Sequence, residues 1–276
     1  MIEVNYVDHM GTDLSVVNAA KVSFGSRSEW AFVNTKKDGT RNFVLHPKDQ
    51  SLISFLARGC TSGEWASLKR DVTIGHDDSV FDHIRKMPAH WSPFAHTAIT
   101  MNIKMPIFVA RQIMKHTTGI EFNEISRRYV KSTPNLFTPD KWRESAEDVK
   151  QGSSNKEALG EEYFYYEYKD DDSVVPYRWQ CGVDITLGQV IEDFNEKCLG
   201  LYQDMIDRGV APEQARMVLP QSMMTEVVMT GNLYALANLY NQRIDPHAQY
   251  ESQLVAKGVG DILSDLFPHS FKELTK

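Results

Sequence analysis

Apolar and polar positions change period several times along the 276-residue chain. In NYVDHMGTDLSVVNAAKVSFG, residues 5–25, the pattern predicts a strand and then a helix ending near Lys21-Val22-Ser23, with Gly25 as the stop signal. A polar, hairpin-like insert follows. In DGTRNFVLHPKDQSLISFLARG, Leu52, Ile53, Phe55 and Leu56 recur at helical spacing and predict an Asp-capped helix around Lys48 to Arg58. TAITMNIKMPIFVARQIMKH alternates at Ala98, Met101, Ile103 and Met105 as a strand does, and Pro106 stands where a first helical turn starts. DITLGQVIEDFNEKCLGLYQDMIDRG predicts one amphipathic helix stopped by Gly209, and APEQARMVL a short one from Pro212 to the residue before Pro220. TEVVMTGNLYALANLYNQR predicts a further helix. Asp245-Pro246 then supplies a cap and a first-turn proline for HAQYESQLVAKGVGDILSDL.

Two stretches lack a clear period. Residues 60–88 and 140–182 read as surface insertions, the second charged and carrying the aromatic run EEYFYYEY as a possible helix or interface patch. Neither internal repeats nor a convincing linker divides the chain, so one α/β domain over residues 1–276 is expected.

Composition narrows the class. A hydrophobic share of 42% is enough to bury a core, and no run of about 18 uncharged apolar residues predicts a membrane span. The N-terminal MIEVNYVDHMGTDL is polar and acidic, so no signal peptide is expected and the default location is cytoplasmic. Cys60, Cys181 and Cys198 are scattered without CxxC spacing and read as reduced packing residues. A net charge of −7 argues against a nucleic-acid partner, whose phosphates require clustered positive charge.

One stretch runs against that balance. Between Arg111 and Lys131 five basic residues face two acidic ones, a local excess suited to a small anion. Gln112, Lys115 and His116 stand at i, i+3 and i+4, which on a helix from Pro106 would share a face. Asn123, Glu124, Ser126, Arg127, Arg128 and Tyr129 follow, a mixture that a merely solvated surface rarely needs. Arginine forks suit carboxylate or phosphate, and a Ser at a turn adds backbone N–H groups.

Other candidates are weaker alone. His90 and His96 flank a proline turn in HWSPFAH and read as structural or cofactor-contacting; the spacing supports no metal site. Glu213 and Arg216, at i and i+3, are either a surface pair or part of a site. Arg243 precedes the Asp245-Pro246 break, where a following helix would offer N–H groups to an anion and bring in His247 and Gln249, or where Arg243 would cap the junction. GxSxG, GxxxxGK[ST] and GxGxxG are all missing, and the cysteines lack activating neighbours beyond Arg58 near Cys60.

Taken in order, AAKVSF (19–24), HWSPFAH (90–96), MPIFVARQIMKHTTGIEFNEISRRYVK (105–131), PEQARMVLP (212–220) and NLYALANLYNQRIDPHAQYE (232–251) resemble the flavin-dependent thymidylate synthases across most of the chain. The resemblance implies an α+β domain with a central, largely antiparallel sheet flanked by helices. It implies conversion of dUMP to dTMP with 5,10-methylenetetrahydrofolate as carbon donor, FAD as hydride carrier and NADPH as reductant, without a cysteine nucleophile. It further implies a homotetramer with shared active sites. By the same resemblance, Gln112, Lys115, Ser126, Arg127, Arg128, Glu213, Arg216 and Arg243 fall on nucleotide positions, with Arg243 as the catalytic residue near the pyrimidine. Ser23, His90, Ser92, Lys115, His116, Asn123, Glu124, Asn232, Asn238 and His247 fall on flavin or folate positions. The family's Arg-His-Arg motif is Lys115-His116-Thr117 here, and eight residues rather than seven separate Thr117 from Ser126. The rival reading is a catalytically silent homologue that binds flavin or nucleotide.

Overall fold

A computed structural model describes residues 1–59, 67, 70, 90–145, 153–157 and 187–275. β1 (Glu3–Met10) leads into α1 (Asp13–Lys21), and a 3₁₀ turn, Val22–Phe24, ends at Gly25 with φ 60°. β2 (Ala31–Thr35) and β3 (Arg41–Val44) form the expected hairpin before α2 (Pro47–Arg58). The cap of α2 corrects the expectation of an aspartate: the His46 ring nitrogen accepts from Lys48 N at 3.1 Å. Asp49 is instead buried and accepts from Lys21 Nζ at 2.6 Å, tying α2 to α1.

Next come α3 (Ser92–Ala95), β4 (Ala98–Pro106), α4 (Ile107–Ile113) and β5 (Ile120–Glu124). Pro106 is the last strand residue and the N-cap of α4, one position earlier than predicted. β6 (Arg143–Ser145) pairs with β7 (Ser153–Glu157), and α5 (Leu187–Asp207) ends ahead of Gly209, φ 86°. α6 (Pro212–Ala215), β8 (Met224–Gly231), α7 (Leu233–Arg243), α8 (Tyr250–Leu266) and α9 (Pro268–Leu274) complete the described chain. The aromatic run 161–168 and most of both expected insertions lie outside the described residues.

Among the described residues, four strands form one sheet in the order β1-β4-β8-β5 with every pair antiparallel, as expected of the central sheet. β8 is the main correction: residues 225–231 form a strand between β4 and β5, not the start of a helix. Their β-branched content and period-two burial, with Thr225, Val227 and Met229 inward, fit a pleated strand paired on both sides. The helix begins only after Asn232, whose side chain accepts from Ala235 N at 2.9 Å.

The buried face sets the register. Ile99, Met101, Ile103 and Met105 of β4 face Val227 and Met229 of β8, and burial of each such side chain contributes about 1.5–3 kcal/mol. The opposite face pairs Thr100 with Thr230 at 3.0 Å and Asn102 with Glu226 at 2.7 Å, hydrogen bonds contributing only about 1 kcal/mol each. Helices cover the apolar face, with α8 packed on β1 and α7. One apolar cluster extends from Val16 to Phe271. Buried Asp13 joins the two ends of the fold by accepting from His269 N and Ser270 N, both at 2.9 Å, in the first turn of α9.

Candidate active site

The site is organised by the C-terminal ends of α4 and α7. α4 stops at Ile113, so Lys115 and His116 lie in a turn beyond it and do not share a helical face with Gln112 as predicted. The turn closes at Gly119, φ 73°, whose carbonyl accepts from Asn232 N at 3.1 Å. That contact ties the turn to the N-cap of α7, while His116 meets the last turn of the same helix.

Arg243 occupies that last turn. Its Nη2 donates to the Gln112 carbonyl at 3.2 Å, which also accepts from Lys115 N at 3.4 Å just past the end of α4. Its Nε donates to His116 Nε2 at 2.9 Å, which requires a lone pair on that ring nitrogen. Burial, and then the Arg243 charge, hold His116 below its ordinary value of 6.5, in agreement with a neutral acceptor. Arg243 therefore meets the C-terminal end of α4. It does not stand before a helix N-terminus: α8 begins only at Tyr250 with Gln249 as N-cap, and Asp245 closes a turn by accepting from His247 N at 2.8 Å.

Arg243 lines two cavities. The first, about 900 Å³, is bordered by Phe108, Gln112, Trp142, Arg143 and His247. The second, about 940 Å³, is bordered by Trp91, Lys115, His116, Asn232, Tyr234 and Asn238. A third, about 490 Å³, holds Arg111, Glu124, Arg127, Glu213 and Arg216 and does not include Arg243. In it Arg216 Nε donates to the Glu213 backbone carbonyl at 3.2 Å, and Glu124 accepts from Thr225 Oγ1 at 2.6 Å. α4 divides the first from the third, with Phe108 and Gln112 on one side and Ile107 and Arg111 on the other.

The remaining predicted residues are dispersed. Ser126 organises its own turn, its carbonyl accepting from Tyr129 N at 3.0 Å, and exposed Arg128 lies 5.2 Å from the Tyr129 ring centroid. Asn123 is exposed on β5, and Ser23 and Ser92 are exposed near α1 and α3. His90 stacks on Phe55 at 5.4 Å, beside Trp91. The sequence reading missed Trp91 and Tyr234 as cavity walls, 6.1 Å apart, although Trp91 lies inside HWSPFAH and Tyr234 inside NLYALANLYNQRIDPHAQYE.

The second cavity suits a flavin dinucleotide in its chemistry: aromatic walls, amide groups, and the cations Lys115 and Arg243 for phosphate or ring carbonyls. Gly119 also leaves no room for a side chain on that wall, since a Cβ there would meet Asn232 Nδ2 at 2.6 Å. Among the described residues no His, Cys, Asp and Glu group could hold a metal ion. Cys198 lies on α5, and burial pushes its thiol up, away from reactivity; Cys60 and Cys181 lie outside the described residues.

Residues 5–269 match the model of the family described as thymidylate synthase complementing protein. A flavin-dependent thymidylate synthase of Thermosipho africanus is 30% identical over 98% of this chain and 89% of its own length. The chain belongs to the flavin-dependent thymidylate synthase family. Members from Kosmotoga olearia, 29% identical over 98% of this chain and 88% of the relative, and from Thermus thermophilus, 26% over 96% and 72%, share its extent. The fold is also that of a UMP/dUMP methylase, PolB of Streptomyces cacaoi, solved with 5-Br dUMP, with a TM-score of 0.65, 24% identity and coverage of 100% of this chain and 95% of that one.

Proposed function

We propose that the chain converts dUMP to dTMP, with 5,10-methylenetetrahydrofolate as carbon donor and NADPH as reductant, in a single domain spanning residues 1–276. The observation that carries this reading is Arg243, locked between His116 and the Gln112 carbonyl while bordering both large cavities. A guanidinium has five N–H donors, and two are used by these partners, so others remain for substrate.

In this reading Gln112 and Arg243 face the nucleotide in the first cavity. Lys115, His116, Asn232 and Asn238 would hold FAD in the second, with Ser23, His90, Ser92, Asn123, Glu124 and His247 as further flavin or folate contacts. The chemistry that bound FAD would supply is two-electron transfer from NADPH. Arg243 stabilises the negative charge that builds on a pyrimidine carbonyl as C5 bonds to the one-carbon unit, as preorganised oxyanion donors do. Neutral His116 holds the guanidinium in place without adding a second repelling charge. The poor context of Cys198 agrees with a route that uses no thiol.

Ser126, Arg127, Arg128, Glu213 and Arg216 are assigned to the same nucleotide yet surround or adjoin the third cavity, on the other side of α4 from Gln112. A homotetramer in which one subunit's third-cavity arginines reach a neighbour's nucleotide reconciles the two. The chain is placed in the cytoplasm; among the described residues no helix is long and apolar enough to cross a membrane. Tritium release from 5-tritiated dUMP, dependent on NADPH and methylenetetrahydrofolate, tests the activity. Flavin-loaded protein that releases none would establish the silent homologue instead.

A further inference from the structure

Five polar side chains, four of which line the first cavity, are joined in one hydrogen-bonded chain. Glu251 is 8% exposed, and its Oε1 accepts from Arg143 Nη1 at 3.3 Å, while the Arg143 guanidinium stacks 3.6 Å from the Tyr250 ring centroid. Its Oε2 accepts from Gln249 Nε2 at 2.9 Å. The Gln249 side-chain oxygen in turn accepts from Gln112 Nε2, and Gln112 Oε1 accepts from the fully buried Ser252 hydroxyl at 3.2 Å.

The polarity of this chain follows from its first member. A carboxylate facing a guanidinium accepts and does not donate, so Gln249 must turn its NH₂ group toward Glu251. Gln249 then offers its carbonyl oxygen to Gln112, and only the Gln112 NH₂ group can meet it. Ser252, with its hydroxyl hydrogen, holds the other end of the Gln112 amide. A flipped Gln112 would set oxygen against oxygen and leave buried groups unpaired, at a cost of about 1–3 kcal/mol each. One Gln112 amide hydrogen is used by Gln249, and the second has no acceptor among the described residues at the edge of the cavity.

We propose that Glu251, acting through Gln249, is a positioning residue that fixes Gln112 as a hydrogen-bond donor toward an oxygen acceptor of the nucleotide. This rests on the reading that Gln112 faces dUMP. The arrangement selects ligand oxygens, carbonyl or phosphate, over amino groups at that point, because the Gln112 oxygen is turned away toward Ser252.

The test uses full-length, FAD-loaded protein, with calorimetric titration of dUMP and steady-state kinetics. Gln112→Ala should raise the dUMP Kd about tenfold, the loss of one good hydrogen bond. Glu251→Gln should do the same with kcat changed less than about twofold, since uniform binding is what is lost. Gln249→Ala cuts the relay while leaving the Arg143–Glu251 pair in place, so it carries the test should Glu251→Gln fail to fold. Combined with Gln112→Ala, either change should add nothing. If Gln112→Ala weakens dUMP but folded Glu251→Gln and Gln249→Ala bind it normally, or if the effects add, the relay is overturned. If Gln112→Ala itself binds dUMP normally, the nucleotide reading of Gln112 is what fails.

Discussion

Arg243 holds its place through partners more than 100 positions away in sequence, His116 and the Gln112 carbonyl. Its replacement by Ala should lower thymidylate formation by about 10²–10³-fold, the usual cost of removing a preorganised charge-stabilising donor, while the flavin absorbance of the purified protein persists. Wild-type turnover in that variant would remove Arg243 from the mechanism. Cys198→Ala should keep its activity, and a folded but inactive variant would contradict the thiol-free route. His116 gives the pH dependence. Its folded value is depressed, so the neutral form is favoured by folding and its contribution is fully present above the ordinary 6.5 and lost as pH falls below that toward the folded value. Thermal unfolding across pH 5–7 should show this loss, and His116→Asn should flatten it.

At the scale of elements, the closest approaches are made by glycines. A Cβ on Gly260 of α8 would lie 2.4 Å from Tyr240 Cε2 of α7, so Gly260→Ala must push the helices apart, at about 1–3 kcal/mol. Because Arg243 ends α7, the same variant should lower kcat as well as Tm, which chemical denaturation and kinetics on one sample would reveal. The strand–helix order from β1 to α2 was legible, since its periods and Gly25 are local signals. Residues 225–243 were not. VVM reads as apolar at either period, and only pairing with both β4 and β5 settles it as a strand, with Asn232 marking where the helix begins. α4 was read too long for a related reason: nothing local shows that the chain tightens after Ile113, where the Gln112 carbonyl accepts from Lys115 N and from Arg243 and the Ile113 carbonyl accepts from His116 N.

At the scale of the molecule, the assigned nucleotide residues divide between two cavities separated by α4. If sites are shared, mixing inactive Arg243→Ala and Arg127→Ala proteins, with subunit exchange, should restore part of the activity, because some mixed sites receive both native arginines. No recovery in exchanged mixtures confirmed by mass would place every contact in one chain. The sequence by itself determined the candidate chemistry, the family and the antiparallel α+β expectation, because ordered motifs and residue types are properties of the chain alone. Only the tertiary structure decided that Arg243 reaches the Gln112 carbonyl, that His116 accepts from it and that Glu251, Gln249 and Gln112 join in one hydrogen-bonded chain. Hydrogen bonds depend on distance and direction across packed elements, and residues 127 or 137 positions apart meet only once the sheet and its helices have closed.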